Sequence, residues 1–157
     1  MNKKEHFKYY ISLIFFPILF YFGKRSPVTY DEGYYILQAK WILENKDWIT
    51  PQYWQEIALD RTNSIQSLIA FSQKTFGNSS FSIYIPNILV GSIMLFLTYQ
   101  IHKELIEKKY AIFSSLILST TFLWVNYFHM ASQDIIFGTL ITLGLFATIK
   151  GYKNNKN

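Results

Sequence analysis

Asp31 and Glu32 stand side by side just after an apolar run, and Asp60 and Arg61 stand together later in the same segment. Asp134 adjoins a further apolar run, with His129 five residues before it. Each has a chemistry to offer. A carboxylate can take the proton of an attacking hydroxyl as general base, and a guanidinium fork near helix amides matches the oxygens of a phosphate. His129 with Asp134 or Asp31 could bind a divalent ion, although no short metal-ligand motif is present. No cofactor is required by the sequence, and a divalent metal is compatible with it.

Each of these residues also has a plain structural explanation. Acids in a first helical turn favour the helix dipole, and Thr29-Tyr30-Asp31-Glu32 fits the T-x-x-E capping box, which accounts for Glu32. Asp60-Arg61 reads equally as a solvated ion pair. Asp134 serves as an N-cap if it lies at the start of a span, while a charge at membrane depth is costly and invites a functional reading. Local sequence leaves these alternatives open.

The elements that must position them are set by where the apolar residues fall. Fifteen uncharged residues lie between Lys8 and Lys24, nineteen run from Ile83 to Ile101, twenty-four from Tyr110 to Gln133 and fifteen from Ile135 to Ile149. A hydrocarbon core needs roughly 20 helical residues, so these runs read as membrane spans, the shorter ones extended by flanking lysines and interfacial tyrosines. The sequence predicts an all-α integral membrane protein, a single domain over 1–157 with four spans near 8–24, 83–101, 110–131 and 134–150. Phe22-Gly23-Lys24-Arg25 offers no small-residue cleavage site, so the first run is read as an uncleaved anchor.

Basic residues in short loops mark the cytoplasmic side. Lys3, Lys4 and Lys8 precede the first span, Lys103, Lys108 and Lys109 separate the second from the third, and Lys150, Lys153 and Lys156 follow the fourth. Both termini are therefore expected in the cytoplasm, with the plasma (inner) membrane as the location. The net charge of +5 is mostly this topology signal, which calls for no nucleic-acid partner. The chain has no cysteine, which closes disulfide and thiolate-metal chemistry.

The outer loop, about 25–82, is too long for a plain connector and carries helical patterning of its own. One helix is predicted from the capping box to about Asn45, with Tyr30, Tyr34, Leu37 and Trp41 on its apolar face, widened by Ile36, Ala39 and Leu43. A second starts near Thr62 or Asn63, shows Ile65, Leu68, Ile69 and Phe76 on one face, and ends at Gly77. Both are expected to lie in the outer membrane interface as amphipathic helices.

In order along the chain, Asp31-Glu32, Tyr34 or Tyr35, Ala39, Lys46-Asp47-Trp48-Ile49-Thr50-Pro51, Phe76-Gly77-Asn78-Ser79-Ser80-Phe81, Ile85-Pro86 and Asp134 form a series. That series resembles the N-terminal part of the GT-C glycosyltransferases, in particular the family 39 protein mannosyltransferases and aminoarabinose transferases. The chain departs from that pattern at Asp60-Arg61-Thr62-Asn63, where the family has Lys-Pro-Pro, and at Ile85, where it has arginine. Members of the group continue for many more spans, so the resemblance implies an N-terminal portion.

The resemblance implies transfer of a sugar from a polyprenyl-phosphate carrier to a protein or lipid acceptor on the outer face of the membrane, with inversion at the anomeric carbon. Asp31 would act as general base, Arg61 would neutralise the departing lipid phosphate, and Glu32 or Asp134 would orient acceptor or base. A second polypeptide could complete the fold. Two other classes fit the same sequence. One is a non-catalytic four-span protein from a truncated or split gene, acting as a partner subunit. The other is a small transporter with Asp134 as proton carrier, for which the long outer loop is unusual.

Overall fold

A computed structural model of the protein describes residues 27, 30–54, 56–58 and 61–155. The expected first span at 8–24 and Thr29 of the expected capping box lie outside them, as does Asp60. The elements in order are α1 (Tyr30–Asn45), β1 (Gln52–Tyr53), β2 (Glu56–Ile57), α2 (Ser64–Phe76), α3 (Ser80–Leu105), a 3-10 turn (Lys108–Tyr110), α4 (Ala111–Thr120), α5 (Phe122–Phe128) and α6 (Asp134–Asn154). The architecture is helical, and α3 is its axis, packing against α2, α4, α5 and α6.

Two helices, α3 and α6, are long and apolar enough to cross a membrane, or three if the bent pair α4–α5 counts as one. The predicted span over 110–131 is not one straight helix. Its halves meet at 68° across Thr121, which has extended backbone at φ −68 and ψ 129. No proline lies at the break; hydroxyls satisfy the carbonyl it frees. The Thr121 amide donates to Leu118, and the hydroxyls of Thr120 and Thr121 donate to the Ile117 carbonyl at 3.0 and 2.9 Å. Side chains thus replace the backbone ladder at the turn where it parts.

The two helices expected between the first and second spans form where the patterning puts them, but α1 presents a different face. Its buried residues are Glu32, Tyr34, Tyr35, Gln38, Ala39 and Ile42, while Leu37 and Trp41 are only half-buried. Hydrophobic periodicity misses this because polar Glu32 and Gln38 occupy the inner face. Gln38 meets Gln66 of α2 through a buried amide hydrogen bond of 2.7 Å. In α2, Ile65 and Ile69 are buried as expected, whereas Leu68 and Phe76 are exposed.

Two turns set the path between these helices. Lys46, at φ 57, takes the left-handed position that ends α1, a conformation costly for a residue with a Cβ. Asp47 follows, and its Oδ1 accepts the amides of Ile49 and Thr50 at 3.0 Å each. Those bonds, Thr50's first, hold its carboxyl below the usual carboxylate range. A short antiparallel hairpin, β1 with β2, then pairs Tyr53 with Glu56; the patterning does not announce it.

At the other end, Gly77 at φ 80 stops α2 and Ser79 caps α3. The Ser79 hydroxyl accepts the Ser82 amide at 3.3 Å and the Ser82 hydroxyl accepts the Ser79 amide at 3.1 Å, a reciprocal box. The Phe-Gly-x-Ser-x-Phe stretch is therefore a helix-to-helix corner, closed by an edge contact between the Phe76 and Phe81 rings. Pro86 falls inside α3, past its first turn, where it withholds an amide from the Ser82 carbonyl.

One apolar core joins the elements, from Tyr35, Ile65 and Ile69 through Tyr84 and Ile88 to Leu95, Trp124, Phe128 and Ile135. Trp124 and Phe128 stack at 4.3 Å between ring centroids. They close on α3 at Gly91, where a methyl group would sit 3.2 Å from the Phe128 Cβ. Glycine relieves that close approach.

Candidate active site

Arg61, in the connection before α2, reaches back to the first turn of α1. Its Nη1 lies 2.7 Å from Asp31 Oδ1 and donates to the Tyr35 hydroxyl at 2.8 Å. The guanidinium carbon also stands 5.3 Å from the centre of the Tyr34 ring and 5.4 Å from that of Tyr35. The pair is open to solvent, with 28% of the Arg61 side chain and 48% of the Asp31 side chain exposed. Among the described residues Arg61 pairs with Asp31, thirty residues upstream; Asp60, of the ion pair considered from local sequence, lies outside them.

Electrostatics tie the cluster together. Burial pushes the Tyr35 hydroxyl above its ordinary range, Arg61 opposes that through its hydrogen bond and charge, and the charges of Asp31 and Asp134 add to it. The Tyr35 hydrogen bond, with Asp31 beside it, holds Arg61 more firmly protonated than an ordinary arginine. Asp134 therefore belongs to the same field as Asp31 and Arg61. It is exposed and opens α6.

Glu32 points the other way. It is fully buried, and its Oε1 accepts the Ala131 amide at 2.9 Å. The loop between α5 and α6 is pinned from two further directions. Asn87 Nδ2 donates to the carbonyls of Met130 and, at 2.8 Å, Ser132, and the Thr62 hydroxyl donates to Gln133 Oε1 at 3.2 Å. Three elements thus hold the loop that leads into Asp134. Glu32 positions backbone at the site, while Asp31, one residue before it, faces the charged cluster.

Below Asp134 an apolar groove of about 480 Å³ runs between α3, the α4–α5 bend and α6, lined among others by Met94, Thr121, Trp124, Tyr127 and Gly138. His129 does not join the acids: its Nδ1 donates to the Val125 carbonyl at 2.6 Å and its ring packs on Phe128. Among the described residues no group of three or more His, Cys, Asp or Glu side chains could hold a metal ion.

Sequence reasoning reached Asp31, Glu32, Arg61 and Asp134 but gave Tyr35 and Asn87 no role at the site. Asn87 had a signal, being a polar side chain inside a long apolar run. Tyr35 entered only as one of two adjacent tyrosines in the series that carries the resemblance, and its partner Arg61 is distant in sequence.

Apolar helices long enough to cross a membrane, together with the family match, define an integral membrane protein of the glycosyltransferase-like kind. The chain belongs to the dolichyl-phosphate-mannose-protein mannosyltransferase family, whose model matches residues 61–157. That match takes in Arg61 and Asp134, while Asp31 and Glu32 lie about thirty residues before its start. A protein of Aquifex aeolicus, named only as an uncharacterized protein, is 27% identical over 152 residues, covering 95% of this chain and 30% of the relative. The chain spans about 30% of that relative's length. No solved structure matches it.

Proposed function

We propose that the chain provides acceptor-activating and phosphate-binding groups of a membrane glycosyltransferase that takes its sugar from a polyprenyl-phosphate carrier. The observation that carries this reading is the Asp31–Arg61 pair at 2.7 Å, in the same electrostatic field as Asp134. A base, a cation for the leaving phosphate and a second acid are what inverting sugar transfer from a lipid phosphate needs. Asp31 takes the acceptor hydroxyl proton as that oxygen attacks the anomeric carbon. Arg61 bears the charge of the departing lipid phosphate, Asp134 orients the acceptor, and Glu32 holds the backbone between them through Ala131.

The family's description supports a dolichyl-type carrier, a mannosyl group and a protein acceptor as first candidates, with a lipid acceptor as the alternative. In this reading four spans cross the plasma (inner) membrane, α1 and α2 lie at its outer interface, and both termini are cytoplasmic. The exposed Leu68, Phe71 and Phe76 of α2 support an interfacial position. A further polypeptide segment or subunit completes the carrier groove.

The donor class is tested by reconstituting the protein in liposomes with labelled polyprenyl-phosphate mannose or labelled nucleotide mannose. Label is expected to reach acceptor from the lipid-linked sugar and not from the nucleotide. Transfer from the nucleotide sugar, or from neither, contradicts the reading.

A further inference from the structure

The proposed base and the proposed phosphate receptor are bonded to each other. Asp31 and Tyr35 share one guanidinium nitrogen, at 2.7 and 2.8 Å. A lipid phosphate arriving at Arg61 is a second anion for the same cation, and it meets the negative charge of Asp31 at once. Tyr35 is a different kind of partner. It is neutral, fully buried and fixed in the α1–α2 core, and its ring and that of Tyr34 lie against the guanidinium. It can keep Arg61 in place whichever anion is bound.

We propose that Asp31 occupies the phosphate site of Arg61 until donor arrives, that donor phosphate displaces it and so delivers the base to the acceptor, and that Tyr35 is the positioning residue that holds Arg61 through the exchange. This rests on the reading of Arg61 as phosphate receptor. It makes binding ordered, carrier first and acceptor second, because Asp31 turns to the acceptor only after leaving Arg61. The exchange is feasible because the ion pair is half-open to solvent, and exposed pairs of this kind are weak.

The idea gives opposite signs for two neighbours of Arg61. If Asp31 competes with phosphate, removing its charge tightens carrier binding; if Asp31 props Arg61, removing it weakens binding. The test is titration of the full chain in detergent micelles with farnesyl phosphate. Asp31→Asn is expected to bind about three- to tenfold tighter than wild type, and Asp31→Glu, which keeps the charge, within about twofold of wild type. Tyr35→Phe is expected to bind about fivefold weaker, and in the Asp31→Asn background to cost more than it does alone. Wild-type binding with Asp31→Asn equal or weaker overturns the competition while leaving the phosphate site standing. No binding by wild type or Asp31→Asn overturns the phosphate site, and the competition with it.

Discussion

Asp31→Asn is expected to lower sugar transfer by about 10²- to 10⁴-fold while leaving the fold intact. The rate term follows from the loss of a general base, whose contribution is of that order. The fold term follows from exposure: with Asp31 48% and Arg61 28% open, the ion pair contributes less than about 1 kcal/mol to stability. Asparagine keeps an oxygen that can accept from Arg61, so the connection before α2 stays closed. Transfer rates and a detergent unfolding curve on the same preparation separate the two effects. A rate within about threefold of wild type would remove Asp31 from the chemistry.

Asn87→Ala should produce the largest loss of stability, about 2–4 kcal/mol, because a buried carbonyl at Ser132 and a part-buried one at Met130 lose their donor together. The side chain is wholly buried, so water cannot easily replace it. A domain of ordinary stability, about 5–15 kcal/mol, has little margin for such a change. Transfer should fall as well, since Met130 and Ser132 stand just before Asp134 and loosen with it. Denaturant titration of the purified protein in micelles reads the effect. A change under about 0.5 kcal/mol would mean that the loop is held by Glu32 and Thr62 alone.

How much of this was legible in the sequence depended on how local the cause was. Gly77 ended α2 through local turn chemistry, and the apolar runs marked α3 and α6 directly, although α3 starts at Ser80, before its run, on the cap that Ser79 provides. Thr120 and Thr121 did not announce a break, because hydroxyls in an apolar run are compatible with a straight helix, as Thr139 and Thr142 in α6 show. The inner face of α1 was hidden for a related reason. Glu32 and Gln38 are buried against partners at Ala131 and Gln66, which no periodicity along α1 can reveal.

The candidate site shows the same division. Asp31 and Arg61 were each recognisable as chemistry, one at a helix start and one before the next helix. Their pairing is a tertiary fact: it needs α1 and α2 to lie side by side, which the Gln38–Gln66 bond and the Tyr35, Ile65 and Ile69 contacts secure. Resemblance supplied the roles of these residues and geometry supplied their grouping. The family match itself begins at Arg61, so the place of Asp31 in the site rests on the ion pair.

Lipid phosphate is proposed to bind at Arg61 on the outer face of the membrane. The chain has no cysteine, and Thr62, beside Arg61, is exposed. A single Thr62→Cys substitution therefore reports on the site when sealed spheroplasts are treated with a membrane-impermeant maleimide, with and without farnesyl phosphate. Labelling from outside without permeabilisation is expected, slowed severalfold by farnesyl phosphate. Labelling only after permeabilisation, or labelling that farnesyl phosphate leaves unchanged, would contradict the proposal.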